Sequence, residues 1–344
     1  MMEFVAVGIF VVLSFHTVLG GADFGAGMWQ LLSRSGERGR SERALIARSM
    51  GPVWEANHVW LILAAVLLWT GFPRAFAPVI SGLWIAFGIA GIGLILRGAA
   101  FAFRHASHHD TEQRWHGHVF AWSSVLTPFA LGAIAGCVAA GRVPGLAPMS
   151  PLAALLHPLP LLSGAFAVLL ALHTSAVFLT NDAEASGEPE LALRFRRRGI
   201  VTALLVGAAA AAAFPLYAES APGFHAQLIE RALPVYLAAS VAGLTTLQLL
   251  FTRFAAYARW TAALMSGILV TGWGLAHAPD VIPGKLTLAE AAAPAGTMQV
   301  LAIVLVLAVL ILAPTLWLLF RTFRQGRHVV SDNDAHVLGR PPIE

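Results

Sequence analysis

Apolar stretches long enough to cross a lipid bilayer recur along nearly the whole chain, and this feature constrains the fold more than any other. A hydrocarbon core of roughly 30 Å requires about 20 helical residues. Nine stretches meet this length, at residues 4–32, 52–71, 76–103, 116–140, 152–180, 198–218, 232–252, 260–279 and 297–321. With 58% hydrophobic and 12% charged residues, the chain lies outside the usual composition of soluble domains. The sequence therefore predicts an all-α polytopic membrane protein with nine transmembrane helices.

Proline and glycine in the connecting segments divide these nine predicted helices into groups. We expect a first four-helix bundle at residues 1–140, a second at 150–280, a peripheral transmembrane helix at 297–321 and a cytoplasmic tail at 322–344. Both bundles contain a His-Thr dipeptide before an Asp, in "SFHTVLGGAD" and "LALHTSAVFLTND", which is weak evidence of a repeat. Bundles are the usual packing of polytopic helices.

Most basic residues lie in alternate connecting segments. Of the 22 Lys and Arg residues, 17 lie in or at the edges of the segments that share a side with residues 33–50, and the four opposite loops hold one each. The positive-inside rule therefore predicts an external N-terminus and a cytoplasmic C-terminus. Because the basic residues form no single patch, nucleic acid is not an expected partner.

Three further features refine this topology. Arg97 lies near the inner end of the third predicted helix, where we expect its side chain to snorkel to the interface without a buried partner. The N-terminus lacks a basic n-region, which predicts a first transmembrane helix rather than a signal peptide. Cys137 is the only cysteine, so no disulfide is possible within one chain.

The segment "GPVWEANHVW", residues 51–60, places ionisable groups where the second helix is predicted to begin. Pro52 is typical of a first helical position. Glu55 and His58 are three residues apart and therefore share one side of the helix. One interpretation is that Glu55 only caps the helix. The alternative is that Glu55, Asn57 and His58 begin a proton route, because ionisable groups at this depth usually face protein or water.

Asp23 lies deeper, about 14 Å from the inner end of the first helix at 1.5 Å per residue. An unpaired carboxylate is costly there, so Asp23 is expected to be protonated, partnered or hydrated, and each state suits proton handling. Glu55, His58 and Asp23 form a ladder if the first two helices face each other. Gly21 and Gly25 have the spacing that lets a neighbouring helix approach closely.

The histidines are candidates for haem or metal ligation, although each has an alternative role. His16, His157, His173 and His277 lie in or at predicted helices, where a histidine either ligates haem or hydrogen-bonds within the core. A second group has irregular spacing on a predicted cytoplasmic loop, which favours a solvated surface over a metal site; it comprises His105, His108, His109, His116 and His118. We predict no metal site in this chain, and the sequence has no glycine-rich phosphate loop and no hydrolase elbow.

Four segments resemble, in order, landmarks of subunit II of the cytochrome bd quinol oxidases: "GADFGAGM", "GPVWEANHVWLIL", "LILRGAAFAFRH" and "LTPFALGAIAG". Nearly all of the resemblance lies in the first 140 residues. It implies the same fold of two four-helix bundles and a peripheral helix, in the bacterial inner membrane. It also implies a partner, subunit I, which carries haems b and d and the quinol loop, so that this chain has no cofactor of its own and is not active alone.

The resemblance also implies a function for the complex and for two residues. The complex couples quinol oxidation to the reduction of oxygen to water, and this chain supports assembly and lines access routes without a catalytic residue. Glu55 is associated with proton entry from the cytoplasm, and Trp60 with oxygen entry from lipid. Membrane lipids, a structural quinone and a small accessory subunit are further candidate partners. Gly20 and Ala102 stand where many relatives have a carboxylate.

Two other functions remain open. A secondary transporter would also have two helical halves and intramembrane acids, but it usually breaks helices at matching positions in both halves, and the glycines and prolines here do not match in that way. A haem-carrying subunit would use His16 and His173. Optical spectra of the isolated chain distinguish these possibilities.

Overall fold

The computed structural model is mostly helical. It describes residues 1–33, 36–106, 110–252 and 254–337, and within these ranges the side chains of 50–56, 104–106, 110–114, 313, 317 and 319–337 lie outside the description. The helices are α1 (Met2–Leu31), α2 (Glu37–Gly71), α3 (Pro73–Gly82), α4 (Trp84–Ala106), α5 (Asp110–Ala139), α6 (Pro151–Leu155), α7 (Pro158–Ala185), α8 (Pro189–Ser220), α9 (Pro222–Gln227), α10 (Leu233–Leu250), α11 (Ala258–His277), α12 (Leu288–Ala291) and α13 (Ala295–Val337). A π-helical turn (Leu228–Ala232) precedes α10, a 3₁₀ turn (Ala255–Tyr257) precedes α11, and strands β1 (Asp280–Ile282) and β2 (Leu286–Thr287) form a hairpin.

Seven helical segments of the described chain are long and apolar enough to cross a membrane. They are α1, α7, α8, Trp84–Phe103, Trp115–Ala139, Pro222–Leu250 and Ala295–Leu316. An eighth candidate is the bent pair Asn57–Gly71 and Pro73–Gly82, whose axes differ by 117°. These segments agree with the predicted class of helical membrane protein, but they do not confirm the count of nine.

The predicted span at 260–279 is helical in α11 but is not among these seven segments. α11 packs against α1, α7 and α10. Its buried residues include Ala262, Ser266, Gly272 and Gly274. Small and weakly polar residues favour close packing between membrane helices, and they also lower the hydropathy of α11.

α2 begins earlier than the sequence predicts. It runs from Glu37 to Gly71 without interruption, so the prediction that Pro52 is its first residue is wrong. Leu45 and Ile46 are each 1% exposed and pack in one cluster with residues of α7 and α8. This tertiary packing supports helix ahead of Pro52, and proline is tolerated in membrane helices whose neighbours support the backbone.

The third predicted span, 76–103, is interrupted in the structure. α3 ends at Gly82, and the fully buried Leu83 separates it from α4. Gly82 lies so close to the loop after α5 that an added Cβ would overlap the carbonyl oxygen of Pro144. This loop therefore packs directly against the break, which a count of apolar residues does not reveal.

α1 packs against helices from both halves of the chain. It contacts α2, α5, α7 and α11. Gly21 lies against Thr174, and an added Cβ at Gly25 would overlap the carbonyl oxygen of Ala171. The predicted close approach at these two glycines is confirmed. The division into bundles at 1–140 and 150–280 stays a prediction, and α13 extends to Val337, past the predicted boundary at residue 321.

The hairpin between α11 and α12 is fixed to the end of α2. The Glu290 carboxylate accepts hydrogen bonds from the backbone N–H and the hydroxyl of Thr287, at 2.9 and 2.7 Å, and these bonds lower the pKa of Glu290. The Ala293 N–H donates to the carbonyl of Gly71 at 2.8 Å. These contacts hold the start of α13 beside the end of α2.

Candidate functional site

Asp23 and Asn57 meet in the interior, between α1 and α2. Asp23 is 0% and Asn57 is 1% exposed. The Asn57 Nδ2 donates to Asp23 Oδ2 at 3.4 Å, and the carbonyl of Asn57 lies 3.4 Å from Nδ1 of His16. Gly20 permits this approach, because an added Cβ there would lie 3.0 Å from Oδ1 of Asn57. The first two helices therefore face each other at Asp23, as the ladder requires.

Arg97 is the ion-pair partner of Asp23. Its Nη2 lies 2.6 Å from Oδ1 of Asp23 and donates to the Asp23 carbonyl at 2.9 Å, while Nη1 donates to the hydroxyl of Ser124. The guanidinium also lies over the rings of Phe120 and Phe24, at 4.1 and 4.9 Å from their centroids. The prediction that Arg97 snorkels without a buried partner is wrong, because the whole residue is 0% exposed.

The packing of three helices makes this pair possible. α1 contributes Asp23, α4 contributes Arg97 and α5 contributes Ser124. Gly27, one turn after Asp23, leaves room for the guanidinium, because an added Cβ would lie 2.9 Å from Nη1 of Arg97. Of the three states predicted for Asp23, the structure therefore has the partnered one. Charged residues inside membrane proteins usually pair in this way.

The other members of the predicted ladder are placed only in part. His58 is half-buried, one residue after Asn57 on α2. Glu55 lies in the same helix, but its side chain lies outside the described residues. For the predicted proton ladder, the structure thus describes one contact between the two helices, that of Asn57 with Asp23. Its continuation through Glu55 and His58 stays a prediction.

Trp60 lies about one turn beyond Asn57 on α2 and is 4% exposed. Its ring stacks on Phe15 of α1, with centroids 4.6 Å apart and planes at 17°. Phe15 is 49% exposed on the outside of the molecule. The indole Nε1 is buried with no hydrogen-bond partner among the described residues. Trp60 is thus buried against an aromatic ring that itself reaches the surface.

The buried histidines have backbone partners. Nδ1 of His16, His173 and His277 lies 3.4, 3.1 and 2.8 Å from the carbonyls of Asn57, Gly199 and Trp273, respectively. His157 instead accepts from the Leu159 N–H at the start of α7. His16, His173 and His277 therefore each make a hydrogen bond within the core through Nδ1, and the absence of haem ligation by them stays a prediction.

The histidines around residue 110 are described only in part. His116 is half-buried beside Phe103 and His118 is exposed, while the side chains of His105, His108 and His109 lie outside the described residues. Among the residues that the structure describes, no group of three His, Cys, Asp or Glu side chains is placed to hold a metal ion.

Sequence reasoning missed two charged partners. One is Arg97, which we expected at the interface. The other is Glu42, a 4% exposed carboxylate of α2 that pairs with Arg194 and Arg198 of α8. A signal for the first was present, since Asp23 and Arg97 are opposite charges in two predicted spans and intramembrane charges tend to pair. No comparable signal identifies Glu42, because its segment reads as a polar loop.

Comparison with known proteins supports the resemblance noted in the sequence. Residues 1–323 match the profile of the family described as cytochrome bd terminal oxidase subunit II. Subunit 2 of the cytochrome bd ubiquinol oxidase of Bacillus subtilis (strain 168) is 37% identical over 117 residues, which are 34% of this chain and 33% of that protein. Subunit 2 of the cytochrome bd-I ubiquinol oxidase of Escherichia coli (strain K12) is 31% identical over 130 residues, 37% of this chain and 32% of that protein. The aligned segments thus span about a third of these relatives.

A solved structure shares the fold over a much longer range. The bd oxidase from Geobacillus thermodenitrificans contains a chain that superposes with a TM-score of 0.76, covering 94% of this chain and 98% of that one. The sequence identity over this superposition is 21%, so the likeness concerns the fold alone.

Asp23→Asn tests the energetic importance of the buried ion pair. The substitution keeps the size of the side chain but leaves the charge of Arg97 buried without its partner, which typically costs about 3–5 kcal/mol. We therefore expect a clear fall in the thermal unfolding midpoint of the purified protein. Glu190→Gln is the control, because it removes a carboxylate that pairs with Arg194 at 3.6 Å but is 89% exposed, and surface pairs contribute little.

A double variant separates loss of the pair from loss of one charge. Asp23→Leu with Arg97→Met removes both charges, and replacing a whole buried pair by apolar residues is often close to neutral. The double variant should be more stable than Asp23→Asn alone. Equal stability of Asp23→Asn and the wild type would contradict the importance of this pair.

Proposed function

The chain belongs to the cytochrome bd terminal oxidase subunit II family, and from this premise we propose that it is the non-haem subunit of a bd-type quinol oxidase. The complex oxidises quinol and reduces oxygen to water. Subunit I is its partner and holds haems b and d, while this chain supports assembly and lines access routes. The observation that carries the proposal is the family match over residues 1–323. The shared fold with a bd oxidase chain supports it.

Co-expression with subunit I from the same organism tests this function. We expect the two chains to co-purify in equal amounts with haem, and the complex to oxidise quinol with consumption of oxygen. Expressed alone, this chain should show neither haem absorbance nor quinol oxidation. A stoichiometric haem spectrum from the lone chain would contradict the assignment of all haems to subunit I. Failure of the two chains to associate would contradict the assignment of this chain as a subunit of that complex.

We place the complex in the bacterial cytoplasmic membrane, with the N-terminus of this chain outside and the C-terminus in the cytoplasm. The distribution of the 17 Arg and Lys residues in alternate segments supports this orientation. Labelling of single cysteines at Ser186 and Lys285, in a Cys137→Ala background, from either side of the membrane tests it. Bound lipid, a structural quinone and a small accessory subunit belong to the same proposal, and mass spectrometry of the intact complex tests them.

The proposed proton route uses Glu55, His58, Asn57 and Asp23. Reducing one oxygen molecule to two waters consumes four protons, and protons taken from the cytoplasm allow the reaction to charge the membrane. The hydrogen bond from Asn57 to Asp23 supports a link between α1 and α2 in this route. Glu55 and His58 are the titratable groups that α2 contributes to this route, and Asn57 connects α2 to Asp23 of α1.

Glu55→Gln is the direct test of this route. It preserves size and hydrogen bonding but removes the titratable proton, so the assembled complex should turn over at least about tenfold more slowly, as expected for loss of a proton-transfer group. Glu55→Asp should retain most activity. Turnover and proton uptake during oxygen reduction are the measurements.

Glu37→Gln is the matched control for Glu55→Gln, because Glu37 lies on the same helix with a side chain that is 91% exposed. This variant should match the wild type. If the assembled Glu55→Gln complex takes up protons at the wild-type rate, the proton route does not pass through Glu55.

We also propose that Trp60 borders the route by which oxygen enters from lipid. Its burial behind the exposed ring of Phe15 supports this position. Trp60→Ala should change the KM for oxygen several-fold and leave the KM for quinol unchanged. Trp69→Ala is the control, since Trp69 also stacks on a phenylalanine of the neighbouring segment but is 63% exposed. Unchanged oxygen kinetics in an assembled Trp60 variant would reduce Trp60 to a packing residue.

A further inference from the structure

Glu42 is a buried carboxylate at the end of the molecule where α2 meets α8. Its Oε2 lies 2.9 Å from Nη2 of Arg198 and its Oε1 lies 3.4 Å from Nη1 of Arg194. The Glu42 side chain is 5% exposed, whereas those of Glu37 and Glu190 are 91% and 89% exposed. We refer to Glu42, Arg194 and Arg198 as the Glu42 cluster.

The Glu42 cluster joins four helices. The guanidinium of Arg198 lies 4.9 Å from the ring centroid of Phe195 and 5.1 Å from that of Trp29 on α1. Trp29 in turn donates its indole N–H to the carbonyl of Leu172 on α7, at 3.1 Å. Arg48 of α2 adds a second ion pair beside the cluster, with Glu188 at 2.6 Å. The first section of α2 is therefore held by charges as well as by apolar packing.

The same helix carries the contact with Asp23. Asn57 lies about 22 Å beyond Glu42 along α2, at 1.5 Å per residue. Its hydrogen bond to Asp23 is 3.4 Å long, near the upper limit of a useful hydrogen bond. A small axial shift or rotation of α2 would break this bond, since α2 is one continuous helix between the two positions.

We infer that Glu42 is a positioning residue for the proposed proton route. Its ion pairs with Arg194 and Arg198 fix the axial position and rotation of α2, and so hold Asn57 against Asp23. The role of Glu42 in turnover rests on the proposed function, whereas its role in placing α2 does not. The cluster thus acts on the site from a distance, without contact to it.

Charge variants in the assembled two-subunit complex test this inference. Glu42→Gln should slow turnover by roughly tenfold, because small misplacement of reacting groups has large kinetic effects. Arg198→Gln, which removes the shorter pair, should have a larger effect than Arg194→Gln. Glu190→Gln is the control, because it removes an exposed partner of Arg194 and should leave turnover unchanged. If Glu42→Gln fails to assemble, Arg194→Gln retains one pair and serves in its place.

A double-mutant cycle shows whether Glu42 acts through Asn57. If it does, Glu42→Gln should slow the Asn57→Ala complex no further, because the contact it positions is already lost. If the two substitutions each slow turnover and their effects multiply in the double variant, the inference is wrong. A residue that only stabilises the fold would lower the unfolding midpoint but would leave the turnover of the assembled complex unchanged.

A positional measurement separates this inference from the proposed function. Cysteines replacing Phe15 and Trp60, in a Cys137→Ala background, report the separation of α1 and α2 through the rate of cross-linking by a short bifunctional thiol reagent. Glu42→Gln should change this rate at least twofold, and Glu190→Gln should not. An unchanged rate overturns the positioning role. A changed rate together with normal turnover of Asn57→Ala supports the positioning role and counts against the proposed proton route.

Discussion

The buried ion pair between Asp23 and Arg97 is the interaction on which the arrangement of the first helices depends. Each charge alone would cost several kcal/mol in an apolar interior, so the two must meet with good geometry. They do so at 2.6 Å, with Ser124 satisfying part of the guanidinium. This requirement fixes α1, α4 and α5 at the same depth in the structure. Apolar packing alone would not specify the axial position of these helices relative to one another. Gly27 makes the approach sterically possible.

The position of α2 follows from this pair and from the Glu42 cluster. Asp23 has two carboxylate oxygens, of which one faces Arg97 and the other accepts from Asn57. The α2 helix is thus held in its middle by a hydrogen bond to α1 and near its start by ion pairs to α8. α1 itself packs closely on α7 at Gly25. Polar contacts at two depths therefore define the position of a helix whose apolar face could slide.

The sequence predicted the helical membrane class, the close approach at Gly21 and Gly25, and a partner as one of three possible states of Asp23. These follow from composition and from local spacing, which a chain shows directly. It did not predict that Arg97 is that partner, because spacing along one helix gives the depth of a residue but not the neighbour it faces. The start of α2 was misplaced for a related reason. Pro52 is a local signal for a helix start, and the packing of Leu45 and Ile46 outweighs it.

The ion pair also limits what Asp23 contributes to the proposed proton route. Protonating Asp23 would leave Arg97 charged and buried without its counter-charge, which is the costly state that the pair avoids. Transfer through Asp23 would therefore require Arg97 to find another partner at each turnover, whereas its described contacts hold it between two aromatic rings and Ser124. In the proposed route, the titrating groups are accordingly Glu55 and His58. Asp23 serves as a fixed negative charge that holds the Asn57 side chain through its second carboxylate oxygen.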